Sequence, residues 1–168
     1  MTRYWAIRTD QARRAFIWAE LASGRLRQGW GYREDQDLEL LARIRRTDGT
    51  PDAGQQATWR GNRLLLPTEP GAVSTGDLIV LANLPRYGTW SIARVTGGYR
   101  YAISDQRNAI DHAQRDYGHI REVRLLTGPM GIDPGAEGVP ARLRAAMRSR
   151  IRMWNLDAYG EEIEGLVG

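Results

Sequence analysis

The sequence predicts an α+β domain, a small and mostly antiparallel β-barrel with helices inserted near its start and one helix closing it. Three observations carry this. Residues 76–103, GDLIVLANLPRYGTWSIARVTGGYRYAI, hold apolar and aromatic runs separated by the turn chemistry of PRYG. HIREVRLL, 119–126, alternates isoleucine, valine and leucine with charged residues, as a half-buried strand does. Two stretches before residue 50 carry apolar residues at helical spacing.

Along the chain, RYWAIR (3–8) is aromatic and β-branched and reads as a first strand ending at the polar corner Thr9, Asp10. A helix follows over about 11–22, with Ala12, Ala15, Phe16 and Ala19 on one face, Leu26 extending it, and Gly24 as the stop. Gly29 to Arg33 is a short strand or a turn; as a strand it sets Trp30 and Tyr32 on one side, because side chains two apart share a face. Asp35 and Asp37 ahead of LELLARIRR put acids at the positive end of a helix dipole and arginines at the negative end, which predicts a helix over 36–46. Residues 47–62, TDGTPDAGQQATWRGN, are turn formers around one tryptophan and predict a long loop. Residues 76–103 divide into a meander of three strands, and 119–126 adds another. Glycine and proline crowd 128–140 before VPARLRAAMRSRIRMW, a final helix with Leu143, Met147, Ile151 and Trp154 on one face and arginines on the other. There is no repeat and no interior linker, so residues 1–168 form one domain.

Composition closes several classes. No apolar run approaches the roughly 20 residues of a membrane span, so no membrane partner is expected. MTRYWAIRTD has no apolar segment behind a basic start, which argues for a cytoplasmic protein. With no cysteine, disulfides, thiolate metal sites and cysteine nucleophiles are closed. All 24 basic residues are arginine, against 20 acids, for a net charge of +4 and a pI near 9.8. A guanidinium pairs with phosphates and stacks on bases, so a basic arginine surface is a footprint for nucleic acid.

Catalytic signatures are missing. His112 and His119 belong to no H-x-x-x-H or H-x-E pattern, which argues against zinc and leaves His119 a hydrogen bond at a strand's edge. Glu34, Asp35 and Asp37 could hold magnesium for a nuclease, but all three lie at a helix start, where acids cap. No phosphate-binding glycine loop and no nucleophile elbow occurs, so neither a cofactor nor a catalytic residue is expected. The aromatics say more. Trp5, Trp18 and Trp154 sit inside predicted elements as core. Trp30, Trp59 and Trp90 stand beside glycines in GWG, ATWRGN and GTW, and for each both core packing and an aromatic cage for an unstacked base are open.

The order of YWAIR, GWGYREDQDL, GDLIVLANLP, TWSIARVTGGYRY and HIREV resembles the PUA-like superfamily over about residues 3–126. Within it the chain is similar to EVE-like (EVE/YTH-type) domains and to the N-terminal domains of modification-dependent restriction endonucleases, and LRAAMRSRIRMW is similar to the closing helix of the latter. The resemblance implies a non-enzymatic reader of a modified base, most familiarly a modified cytosine such as 5-methylcytosine in double-stranded DNA, flipped into a pocket. By matching positions, Trp30, Tyr32 and Arg33 would line one wall, Arg8, Thr9 and Asp10 another, and Asn83 with Pro85 the floor, with Trp59 and Trp90 as further cage aromatics. Arg25, Arg27, Arg86, Arg142, Arg144, Arg148, Arg150 and Arg152 would hold phosphates. The implied setting is restriction or defence, with any cutting done by a separate nuclease domain or subunit. Three alternatives stand beside this reading: a PUA-like RNA binder, a metal-dependent nuclease using the 34–37 carboxylates, and a protein-interaction domain whose arginine-rich last helix takes an acidic partner.

Overall fold

A computed structural model describes residues 1–103, 116–132, 139–149 and 151–168. Among these, the chain builds one mixed sheet with helices on both of its faces. β1 (Tyr4–Arg8), α1 (Arg14–Ala22) and β2 (Arg25–Gln28) come first, then α2 (Leu38–Arg46) and α3 (Ala53–Asn62). β3 (Leu78–Ala82), β4 (Thr89–Tyr101), β5 (His119–Leu125) and β6 (Met130–Gly131) follow, and α4 (Ala141–Ala146), β7 (Met153–Asn155) and α5 (Gly160–Val167) close the chain. The strands lie in the order β2, β5, β4, β3, β1, β7, with β6 on the start of β4. Among the described strands β1 and β3 alone pair in parallel, and outside them Gly31 and Tyr117 form an isolated parallel bridge.

The period of two along the strands sorts the core into two layers. Trp5, Ile7, Ile79, Leu81 and Val95 point to one face, where Ile17 and Leu21 of α1, Leu38 and Leu41 of α2 and Trp59 of α3 cover them. Ala6, Leu78, Val80, Trp90 and Ile92 point to the other, under Leu143 of α4 and Ile163 of α5. β3 is buried at every residue, because the unbroken run LIVLA has an apolar side chain for both faces. Each such leucine or isoleucine contributes about 1.5 to 3 kcal/mol on leaving water.

Several sequence expectations change. The mixed α+β class stands, but the sheet does not close into a barrel: its border strands β2 and β7 form no ladder with one another among the described residues. Helices on both faces satisfy the apolar surfaces that closure would otherwise bury. Residues 47–62 are not one loop, since α3 occupies ten of them. Asp52 and Gln55 form a reciprocal capping box that starts it. The meander of three strands is two, because β4 runs unbroken from Thr89 to Tyr101 and absorbs its glycines in a register shift between Val95 and Tyr99. In α1 the buried side chains are Ile17 and Leu21, while Ala12, Ala15 and Ala19 are exposed. Leu26 belongs to β2, not to that helix face, and Gly24 (φ +80°) makes the left-handed exit from α1. The helix predicted over VPARLRAAMRSRIRMW is α4 and stops at Ala146, Trp154 lies in β7 with its indole half-buried, and α5 closes the chain instead. Ile151 is exposed. Arg150 and His112 lie outside the described residues.

Candidate functional site

The open sheet leaves a gap, and a cavity of about 500 Å³ occupies it. Arg8, Thr9 and Asp10 enter from the end of β1, and Gln28, Gly29 and Trp30 from the end of β2. Asp116 and Tyr117 precede β5, and Arg152 precedes β7. Residues beyond opposite borders of the sheet thus line one hollow.

Trp30 is the unusual residue there. Its indole is 41% exposed, and its backbone is left-handed at φ +64°. That conformation costs a non-glycine residue about 1 to 2 kcal/mol and persists only where neighbours hold it. Here they do. The Trp30 carbonyl accepts from Thr58 Oγ1 of α3 at 2.9 Å and from His119 Nε2 of β5 at 3.0 Å. Because a carbonyl only accepts, His119 carries its proton on Nε2, leaving Nδ1 to accept from the Tyr99 hydroxyl at 2.8 Å. The Tyr99 oxygen in turn accepts from the amide of Leu38 at 3.1 Å. Burial, with the Arg152 charge adding to it, holds the imidazole down at about 4. Next door, Asn62 Nδ2 donates to the Gly29 carbonyl at 2.7 Å. The ring is held as firmly: a Cβ on Gly61 would collide with Cε3 and Cζ3 of the indole, so α3 meets Trp30 through bare backbone.

Two residues of the cavity wall carry buried polar atoms with no hydrogen-bond partner among the described residues. Gln28 is 3% exposed and its Nε2 has no hydrogen-bond partner. Arg8 donates from Nη2 to the Met147 carbonyl at 3.2 Å, yet its buried Nε has no partner. An unmet buried donor costs about 1 to 3 kcal/mol, which an acceptor arriving in the cavity would recover. Acceptors stand opposite. Asp116 takes a bond from the Gly31 amide through Oδ1 at 3.2 Å, and burial pushes its pKa up. Tyr117 is raised to about 12 by the same cause, with the Asp10 and Asp116 charges adding. The guanidinium of Arg152 lies 3.9 Å from the centroid of the Trp30 ring, a cation on the π face.

Other sequence-nominated residues lie elsewhere. Tyr32 is 52% exposed and does not line this cavity, because the left-handed turn at Trp30 abolishes the extended segment that would align the two rings. Arg33 is bound to Asp35 at 2.9 Å and to Asp52 at 2.7 Å. Trp59 is buried between α3 and α2, with Arg45 over its ring, and Trp90 is buried against α4. Asn83 (φ +59°) spends its Oδ1 on the Gly88 amide and lines a second hollow with Arg8, Arg144 and Arg148; Pro85 lines neither. Of the arginines meant for phosphate, Arg25 and Arg27 both bind Glu20, and Arg27 is buried. Those arginines hold Glu20 down at about 2. Arg142 pairs with Glu162 at 3.1 Å, whereas Arg86 is exposed. His119 is not at an edge: β5 runs between β2 and β4, and the ring is fully buried. Asp37 caps α2 by accepting from Glu39 N at 3.0 Å.

Gln28, Asp116 and Tyr117 were not nominated from sequence. Gln28 gave one signal, a polar residue directly before the GWG turn, but strand alternation alone does not tell which side of β2 is closed. No protein-family model matches the chain, and no curated protein matches it.

Proposed function

We propose that this domain binds nucleic acid and reads a modified base, a modified cytosine in duplex DNA, taken out of its stack into the Trp30 cavity. One observation carries the reading: Gln28, whose buried Nε2 has no partner, lines the same hollow as an exposed indole held there in a strained backbone. The PUA-like and EVE-like resemblance supports it from an independent direction. About 500 Å³ falls within the range of small-ligand pockets.

A flat ring stacks on Trp30 and takes the face that Arg152 now covers. The Arg152 backbone stays put, since its carbonyl accepts from Arg8 N at 2.8 Å, so only the side chain swings, toward phosphate. Stacking contributes about 1 to 3 kcal/mol, comparable to the few kcal/mol that flipping costs. The Watson–Crick edge of cytosine offers two acceptors and an amino donor. Gln28 Nε2 and Arg8 Nε meet the acceptors, and Asp116 accepts from the amino group. No chemical step falls to this domain, so cutting belongs to a nuclease domain or subunit. Asp35 is tied to Arg33 and Asp37 to the α2 cap, which weighs against cleavage by the 34–37 carboxylates.

The test is a binding panel of plain and cytosine-modified duplexes and a matched RNA at fixed salt, with wild type and Trp30→Ala. Preference for one modified duplex that falls at least tenfold in the variant is the expected result. Equal affinity for every duplex, unchanged by the substitution, refutes base readout, and preference for the RNA transfers the site to RNA.

A further inference from the structure

The arginines expected to grip phosphate on β2 and in part of α4 are spoken for, and a different set is free. A groove of about 650 Å³ runs between α2 and α3. Arg45 and Arg46 from the end of α2, Arg60 from α3 and Arg63 just beyond it line this groove, and all four are exposed. None forms an ion pair among the described residues, and Glu69 is the one carboxylate on the lining. Arginines at the end of α2 are favoured by its dipole, which explains two of the four. Arg60 in the last turn of α3 and Arg63 at its C-terminal cap suit that helix's dipole in the same way, but dipoles do not explain why two helix ends turn their four arginines into one groove, where like charges repel.

The groove is also placed for the cavity. α3 separates the two: Thr58, Gly61 and Asn62 hold the Trp30 turn on one side, and Trp59, Arg60 and Arg63 face the groove on the other. A helix is about 10 Å across, roughly three nucleotide steps at 3.4 Å each. We infer that the α2–α3 groove is a phosphate-backbone site, holding the nucleic-acid strand a few nucleotides from the base that enters the Trp30 cavity. This rests on the nucleic-acid reading, but not on readout of a modified base. Guanidinium groups suit it, since their fork pairs with phosphate oxygens, and Arg45 is already splayed over the Trp59 ring at 5.1 Å from its centroid.

The test measures duplex affinity against salt for wild type, the quadruple variant R45A/R46A/R60A/R63A, and Arg142→Ala, whose side chain is ion-paired. Thermal melts check that each variant is folded; the four positions are exposed, and the two double variants R45A/R46A and R60A/R63A replace the quadruple if it melts early. Each phosphate contact accounts for about 0.9 in the slope of log K against log salt. The expected result is a slope lowered by about 2 to 4 in the quadruple variant, or about 1 to 2 in each double. Plain and modified duplexes should lose affinity by the same factor, more than tenfold in the quadruple variant, with no change for Arg142→Ala. A slope within about 0.5 of wild type overturns the groove even if Trp30→Ala still removes discrimination. Loss of slope in a protein that never discriminated between duplexes leaves the groove standing and defeats base readout alone.

Discussion

His119 Nε2 donates to the carbonyl of Trp30 across 3.0 Å, tying a buried ring on a central strand to the strained residue at the mouth of the cavity. Through Tyr99 the same imidazole reaches the first amide of α2, so a relay from α2 through β4 and β5 ends on one backbone oxygen. A buried bond between neutral partners of this kind is worth little against water but much against its absence.

His119→Phe keeps the ring's bulk and removes both bonds. The Tyr99 hydroxyl loses its acceptor and the Trp30 carbonyl one of two donors, so stability should fall by about 2 to 4 kcal/mol in urea melts at pH 7.5. The wild type should also show an acid limb that the variant lacks. Unfolded, the imidazole titrates near 6.5; folded, at about 4. Between those values the unfolded chain binds a proton that the folded one does not. Its contribution is therefore full above pH 6.5 and shrinks as pH falls toward 4, by on the order of 3 kcal/mol. Melts at pH 7.5, 5.5 and 4 on both proteins check this, and equal slopes would contradict it.

Gln28→Met removes an amide whose buried Nε2 has no partner among the described residues. Melts should show stability unchanged or raised by up to about 1 kcal/mol, since the orphaned donor disappears. Binding of the preferred duplex should drop by at least tenfold. A variant that unfolds more easily would make Gln28 a structural residue instead.

Gly61→Ala ordinarily strengthens a helix by about 1 kcal/mol. Here the added methyl meets the Trp30 indole, and overpacking costs about 1 to 3 kcal/mol. The expected outcome is no gain in stability, an indole more open to acrylamide quenching, and weaker discrimination between duplexes.

Glu20→Gln withdraws the carboxylate shared by Arg25 and the buried Arg27. Losing one partner of a buried charge should cost about 2 to 4 kcal/mol near neutral pH. Folding lowers the carboxyl from 4.5 to about 2. The stability it adds is therefore present above pH 4.5 and is lost as pH falls toward 2. A melt series from pH 6 to 2.5 should show that limb in the wild type and not in the variant.

Local chemistry made much of the chain legible before any coordinates. RYWAIR, LIVLA and HIREVRL become β1, β3 and β5, because β-branched and apolar runs bounded by turns have few other ways to fold. Arg8, Thr9, Asp10 and Trp30 were named from sequence, and they do meet at one cavity. Long-range partners decided the rest. Trp59 and Trp90 looked as available as Trp30, and packing sorted them, since α2 and α4 supply cover for two rings while the third packs on Gly61 and a guanidinium. Arg27 read as a phosphate ligand until α1 delivered Glu20 to it. Alternation along one strand says that a side chain changes face at each step, and it is silent on what covers that face. The unclosed sheet, the hollow at its gap and the unpaired Gln28 inside it all follow from that cover, which distant segments bring.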